Sequence, residues 1–158
     1  MSVTVSVEGF AQCEQALDNL SKAAGKAALR RALKRSAEPT VKIAQRLAPR
    51  LTGKLSLSIM VGAKLDGRQA KLHRRMFRDD RSSVEMFIGP SYLRGDGGRH
   101  GHLLEFGTVK MPLQPFMRPA WEEDQKAMLN RLKDDLWAEI QKSILRDQRR
   151  AARLAARG

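Results

Sequence analysis

The chain has 158 residues, of which 42% are apolar, and this suffices for one domain with its own core. Thirty Lys and Arg against 17 Asp and Glu give a formal charge of +13, which favours a polyanion or an acidic protein as partner, although a solvated basic surface would carry the same charge. The single cysteine, Cys13, excludes an internal disulfide and a multi-cysteine metal cluster. No signal-peptide pattern and no bilayer-spanning apolar segment occurs, so the sequence predicts a soluble protein made in the cytoplasm.

The first third of the chain predicts one strand followed by helices. Valines alternate with polar residues from Val3 to Val7, the pattern of a half-buried strand. A short helix should follow between Phe10 and Leu20, with a break at Gly25. Pro39 should kink the next helix near Ala37 or start a new one, because its ring clashes with the carbonyl four residues earlier. That helix carries a narrow face of small residues, namely Ala28, Ala32, Ala37, Val41, Ala44 and Ala48.

The centre of the chain predicts an antiparallel hairpin with a long basic connection. Turn chemistry at Thr52-Gly53 precedes an apolar alternation from Leu55 to Val61, and a second alternation runs from Val84 to Gly89. The connection at 64–82 has few apolar residues and is predicted to be a mobile hairpin arm. Its basic residues are expected to face DNA or an acidic partner, and they are Arg68, Lys71, Arg74, Arg75 and Arg78.

The last third predicts a loop, a rigid connector and a long helix. Glycines between Ser91 and Gly101 indicate the loop, and prolines make the run from Met111 to Arg118 extended. Pro119 suits the first position of the final helix. Arginines among alanines beyond Ile144 predict a helical tail that is too polar to bury. The helix carries an apolar stripe made of Trp121, Gln125, Met128, Leu132, Leu136, Ile140 and Ile144.

No group of residues predicts catalysis. A metal site is suggested by three residues close in sequence, His100, His102 and Glu105. Their glycine-rich loop offers no rigid scaffold for an ion, however. The adjacent pairs Asp79-Asp80 and Asp134-Asp135 should diverge and form salt bridges, because acid–base catalysis needs a positioned pair. Cys13 is predicted to pack as a small apolar residue. The sequence therefore predicts no enzyme, no catalytic residue, no metal and no cofactor.

Two segments resemble a known family. Residues 48–55, Ala-Pro-Arg-Leu-Thr-Gly-Lys-Leu, followed by Ser58-Ile59, are similar to a pattern of the head–tail joining, or tail-completion, neck proteins of long-tailed double-stranded-DNA bacteriophages. The segment from His102 to Trp121, with its Glu-Phe-Gly-Thr turn and its Phe-Met-Arg-Pro-Ala-Trp run, resembles the same family. The similarity spans roughly residues 8–125 and leaves out the loop at 65–83 and the chain after Lys126.

The elements together predict an α+β fold. A small, mostly antiparallel sheet should pack against a long N-terminal helical segment and a long C-terminal helix. Residues 1–145 are predicted to form a single connector domain with the basic arm at 64–82. Residues 146–158 are predicted to form a basic tail.

The resemblance implies a structural virion protein of the phage neck, one that forms a ring joining the DNA-filled head to the tail. It implies three kinds of partner: further copies of the chain, neighbouring neck and tail proteins, and passing double-stranded DNA without sequence preference. It implies no membrane and no cofactor, and it implies assembly in the host cytoplasm. Two alternatives are a non-specific nucleic-acid-binding protein that acts through the arm and tail, and an enzyme such as a metal-assisted nuclease.

The segment around Glu105 has two interpretations. In the structural one, Leu103, Leu104 and Phe106 are core residues, Gly107 makes a positive-φ turn, and Glu105 pairs with Arg118. In the functional one the segment contacts another subunit, because aromatic residues and arginine are enriched at binding hot spots. The candidate interface residues are Glu105, Phe106, Gly107, Thr108, Pro115, Phe116 and Arg118.

Overall fold

The computed structural model describes residues 10–50, 52–78, 84–91 and 98–156. The fold is α+β, as predicted. The strand expected at residues 3–7 lies outside the described ranges. In chain order the elements are α1 (Ala11–Asp18), α2 (Lys22–Leu47), α3 (Lys54–Ser58), β1 (Ile59–Gly62), α4 (Gly67–Met76), β2 (Phe87–Pro90), α5 (Gly101–Phe106) and α6 (Met117–Ala155).

The two long helices α2 and α6 form the frame of the molecule. They run antiparallel, since Thr40 contacts Asp124 early in α6 and Arg31 contacts Glu139 later in α6. The small-residue face predicted for α2 is buried along its whole length. Small side chains let the two helix backbones approach closely, and this explains the composition of that face.

Helix α2 is continuous through both residues that were expected to interrupt it. The predicted break at Gly25 is wrong, because α2 begins three residues earlier, at Lys22, where the Ser21 hydroxyl accepts a hydrogen bond from the Ala24 N–H at 3.3 Å. Pro39 does not start a new helix either. An interior Gly costs about 1 kcal/mol and an interior Pro about 3 kcal/mol relative to Ala. The extensive packing of α2 on α6 outweighs these local costs.

The segment predicted as one strand from Leu55 to Val61 divides into α3 and β1. Leu57 is 67% exposed, whereas a strand with this alternation would have buried it. Two hydrogen bonds tie the segment to α2: the Ser56 hydroxyl donates to the Gln45 carbonyl at 2.8 Å, and the Gln45 side chain donates to the Ile59 carbonyl at 3.0 Å. These contacts with α2 decide where the helix ends and the strand begins.

Strands β1 and β2 pair antiparallel, which confirms the predicted hairpin. Ile59 lies opposite Pro90 and Gly62 opposite Phe87, so β2 is shorter than the predicted run from Val84. The connection contains α4, a helix that the sequence reasoning did not predict. His73 holds α4 against the sheet, with its ring centroid 5.3 Å from that of Phe87.

Two apolar clusters lie along the frame. The first surrounds Phe116, which is fully buried at 0% exposure among small and branched residues of α2, α3, β1 and α6. The second contains Cys13, Ala32, Leu136 and Ile140, so the predicted packing role of Cys13 is confirmed. Burial raises the pKa of the Cys13 thiol, which keeps it in the uncharged form suited to a core.

Buried polar contacts join α2 to α6 between the two clusters. The Thr40 hydroxyl donates to Asp124 Oδ2 at 2.5 Å, and Arg131 donates to the same oxygen at 2.6 Å and to the Ser36 carbonyl at 3.1 Å. Burial opposes ionisation of Asp124, but the bonds from Arg131 and Thr40 outweigh it and lower the pKa of this carboxyl. A shift of α6 along α2 would separate the Thr40 hydroxyl from Asp124 and the Arg131 guanidinium from the Ser36 carbonyl. These two contacts therefore favour one register of the two helices, because breaking them would leave buried polar groups without a partner.

Glu139 forms a second buried charged centre on α6. Its carboxylate accepts from Arg31 Nε at 2.6 Å and from Lys142 Nζ at 3.2 Å, and Arg35 lies 3.5 Å away. The hydrogen bond from Arg31 is the main reason that the pKa of Glu139 lies below its ordinary value, against the opposing effect of burial. Arg35 also lies 3.5 Å from Asp135, so one member of the Asp134-Asp135 pair forms the predicted salt bridge.

Helix α6 differs from its prediction at its start, whereas its end is helical and exposed as predicted. It begins at Met117, so Pro119 is its third residue and not its first. Trp121, expected on the inner stripe, is 45% exposed, and Ala120 and Asp124 are buried instead. At the other end the helix continues to Ala155. Among the described residues no helix is both long and apolar enough to cross a membrane.

Candidate assembly surface

The carboxylate of Glu105 caps the start of α6. Short helix α5 places Glu105 directly beneath the first turn of α6, where Oε2 accepts hydrogen bonds from the backbone N–H groups of Phe116 at 2.8 Å and Met117 at 2.9 Å. Oε1 accepts from the N–H of Arg118 at 3.0 Å. A helix start has unpaired N–H groups and a positive dipole end, and one carboxylate here satisfies both.

The electrostatics of Glu105 agree with this geometry. Burial alone would raise the pKa of its carboxyl. The three backbone hydrogen bonds, from Met117, Phe116 and Arg118, together with the charge of Arg118, outweigh burial and lower the pKa below its ordinary value. Arg118 therefore contacts Glu105 through its backbone N–H, and the expected ion pair between the two side chains does not form, although the nearby Arg118 charge favours the ionised carboxylate.

The residues after Glu105 form a tight loop at 106–113, called here the 106–113 loop. Gly107 has φ +72°, the conformation predicted for it, and a Cβ atom there would lie 3.0 Å from the Leu113 nitrogen. Thr108 and Met111 exchange backbone hydrogen bonds at 2.9 and 3.2 Å. The Gln114 N–H donates to the Leu104 carbonyl at 2.8 Å and closes the base of the loop. The loop is thus closed by its own backbone contacts and fixed to α5.

This fixed loop presents apolar side chains to solvent. Phe106 is 70% exposed, Leu113 is 59% exposed, and Val109 is fully exposed. Phe106 is therefore not the core residue that one interpretation expected. Exposed apolar groups that are contiguous and rigidly held are typical of a surface that another molecule covers.

The seven candidate interface residues separate into three groups by their exposure. Glu105 and Phe116 are buried and act within the subunit, as the cap of α6 and as the centre of the first apolar cluster. Gly107 and Pro115 are partly buried. The exposed members are Phe106, Thr108 and Arg118. Val109 and Leu113 are exposed in the same segment, but the sequence reasoning did not name them. Their only signal was the presence of apolar residues near prolines without a helical or strand period.

The five basic residues of the predicted arm lie on or just after α4, and all are exposed. Arg68, Lys71 and Arg75 share one face of the helix by their spacing of three and four. Beside them lie three exposed large apolar residues that the sequence reasoning did not single out, Leu72, Met76 and Phe77. The surface of α4 is therefore both basic and apolar.

The suggested metal ligands do not come together around an ion site. The Glu105 carboxylate is occupied by three backbone N–H groups, and His102 is exposed. In the ranges that the structure describes, no group of three or more His, Cys, Asp or Glu side chains is arranged to hold a metal.

Comparison with known proteins identifies the family. A family model described as "Bacteriophage HK97-gp10, putative tail-component" matches residues 11–107, well over half of the chain. The matched region runs from the start of α1 to Gly107 and so includes α2, the hairpin, α5 and Glu105. No curated protein and no solved structure matched the chain. The family match agrees with the resemblance of residues 48–59 and 102–121 to neck proteins of tailed phages, and the chain belongs to the HK97-gp10-like family of bacteriophage tail components.

Proposed function

We propose that this protein is a structural subunit of the phage neck, where it assembles with further copies of itself into a ring that helps to join head and tail. Membership of a family of tail components supports a virion role. The observation that carries the finer proposal is the 106–113 loop, which presents Phe106, Val109 and Leu113 on a fixed base. No catalytic step belongs to this function.

The loop has the properties of a binding surface. Its backbone is held by Gly107 and by the Thr108–Met111 pair, so little conformational entropy is lost when it binds. Phe106 supplies a rigid aromatic group of the kind enriched at hot spots. If the loop of one copy contacts a different surface of the next, the contact is heterologous, and such contacts close into a ring when the rotation between copies fits.

Helix α4 offers a second surface at the other end of the hairpin. It connects the Gly62 end of β1 to the Phe87 end of β2, whereas Gly101 of α5 packs on Pro90 at the opposite end. Its exposed Leu72, Met76 and Phe77 suit a protein partner, and its five basic residues suit an acidic one. We therefore assign α4 to an acidic neighbouring protein of the neck or tail.

The loop can be tested with the double variant Phe106→Ser and Val109→Ser. A matched control is Leu57→Ser with Leu145→Ser, which also removes two exposed apolar side chains, but away from the loop. In a phage whose own gene is deleted, the loop variant should leave filled heads and separate tails, counted by electron microscopy, while the control restores joined particles. Thermal melting should show that both variants remain folded.

Two outcomes contradict the proposal. Normal yields of joined particles from the loop variant would show that the loop takes no part in assembly. Normal yields from the gene deletion would show that the protein is not needed for head–tail joining. A protein acting only as a non-specific nucleic-acid binder would instead lose function in variants of α4 or the tail and not in variants of the loop.

A further inference from the structure

The end of α6 extends beyond the residues that pack against it. Ser143 is the last buried residue of α6, and every residue from Leu145 to Ala156 is exposed. This end remains helical because alanine, arginine and leucine favour helix and because the packed part of α6 already provides the nucleus. Its surface is therefore not explained by packing within the described part of the subunit.

Four arginines form a row along this end. Arg146, Arg149, Arg150 and Arg153 are spaced so that they lie within about 100° of one another around the helix and along about 10 Å of its axis. This set is called the arginine row. Asp147, the one acidic residue between Leu145 and Ala156, lies about 60° from Arg150, just outside the edge of the row, and no ion pair joins the two side chains.

The row holds uncompensated positive charge. Like charges three and four residues apart on a helix repel one another. In the described ranges none of the four arginines forms an ion pair, in contrast to Arg31 and Arg131, which bind buried carboxylates. An anion with several charges in a line would relieve this repulsion, and guanidinium groups match phosphate oxygens with two parallel hydrogen bonds.

We infer that the arginine row is a binding site for the phosphate backbone of double-stranded DNA. The residues between the arginines are small or polar, and the exposed Leu145 and Leu154 lie about 40° beyond the two edges of the row. The row itself therefore has no large apolar side chain, whereas the surface of α4 has three. A duplex offers a dense line of phosphates and requires no apolar contact. Such contacts carry no sequence preference, as passing DNA demands. That this DNA is the duplex passing between head and tail rests on the proposed place of the protein in the phage neck.

The test compares two variants of the full-length protein that each lose four exposed positive charges. One carries R146Q, R149Q, R150Q and R153Q, and the other carries R68Q, K71Q, R74Q and R75Q in α4. Fluorescence anisotropy with two labelled duplexes of unrelated sequence, over a range of salt concentrations, measures affinity. Each phosphate contact contributes about 0.9 to the slope of log affinity against log salt. The row variant should therefore lose about 3 to 4 from this slope and bind about tenfold or more weakly, equally for both duplexes, while the α4 variant keeps most of its affinity.

Three results would overturn the inference. Equal losses in the two variants would show that only total charge matters, and unchanged affinity in the row variant would place any DNA contact elsewhere. Stronger competition by polyglutamate than by duplex of equal charge would make the row a site for an acidic protein. Circular dichroism verifies that both variants fold.

The inference and the proposed function fail separately. DNA binding by the purified protein needs no assembled particle, so loss of binding in the row variant supports the site even if the loop variant joins heads to tails normally. Conversely, a loop variant that blocks joining supports the proposed function even if the row does not bind DNA.

Discussion

The two ends of α6 use charge in opposite ways. At the start, the single negative charge of Glu105 is buried against three backbone N–H groups, and Phe116 beside it is fully buried. At the end, four positive charges lie on an exposed face without an ion-pair partner in the described ranges. The first arrangement positions the helix, and the second leaves charge free for another molecule. The buried charge therefore stabilises the fold, whereas the exposed arginines are the charges that the proposed DNA contact would use.

The largest effect should come from Phe116→Ala at the anchored end. Phe116 is surrounded by the first apolar cluster, so truncation removes buried area and leaves a cavity. The free energy of unfolding should fall by about 3–5 kcal/mol. Trp121→Ala, which truncates a half-exposed aromatic residue one turn later, should cost about 1 kcal/mol or less. Urea unfolding measures both, and equal losses would refute the distinction between the two aromatic residues.

Glu105→Ala should have the next largest effect. The substitution leaves three backbone N–H groups at the buried start of α6 without their acceptor, at an expected cost of about 2–3 kcal/mol. Glu122→Ala removes an exposed carboxylate near the same end of the helix and should change the free energy of unfolding by about 0.5 kcal/mol or less. If the two variants unfold at the same urea concentration, Glu105 does not cap the helix.

Acid should weaken the anchored part of α6 through its carboxylates. The folded pKa values of Glu105, Asp124 and Glu139 lie below their ordinary values. As the pH falls, the unfolded chain therefore takes up protons first, near about pH 4, and the folded chain only at a lower pH. The three carboxylates stabilise the fold fully above about pH 4, and this stabilisation is lost as the pH falls through their lowered folded pKa values. In Glu105→Gln the free energy of unfolding should decrease less steeply as the pH falls, with a slope that is smaller by at most about 1.4 kcal/mol per pH unit. An unchanged pH profile of urea unfolding in this variant would contradict the assignment.

The smallest effect should follow from removing the free end of α6. Ending the chain after Ile144 removes residues 145–158, and all those that the structure describes, residues 145–156, are exposed, so the free energy of unfolding should change by about 0.5 kcal/mol or less. Limited digestion of the intact protein with trypsin should also cut among the arginines of this end before it cuts α2. A large loss of stability on truncation would show that this end packs on the rest of the subunit.

Local sequence patterns were sufficient where local chemistry decides the structure. The small-residue face of α2, the antiparallel hairpin and the positive φ of Gly107 all followed from spacing and residue type. The resemblance at residues 48–59 and 102–121 pointed to the family that the comparison then identified.

Other features depend on partners far along the chain and could not be predicted. The sequence around Asp124 and Glu139 does not indicate that they are buried, because the residues that contact them, Thr40 and Arg31, lie 84 and 108 positions away. The alternation from Leu55 to Val61 fits a strand, yet contacts with Gln45 make its first half a helix. In the candidate site, the division between buried Glu105 and exposed Phe106 required the position of α6, which no local pattern contains.

Because α6 is one continuous helix, it sets the distance between the 106–113 loop at its start and the arginine row at its end. Its 39 residues, at 1.5 Å per residue, span about 58 Å. The hydrogen bonds of Glu105, the residue just before the 106–113 loop, hold the base of that loop at the start of the helix. A duplex lying parallel to the helix would advance by about 17 base pairs over that length, at 3.4 Å each. An insertion of one residue in α6 would turn the arginine row by about 100° relative to the loop. The length of this helix thus fixes both the distance and the angle between the 106–113 loop and the arginine row.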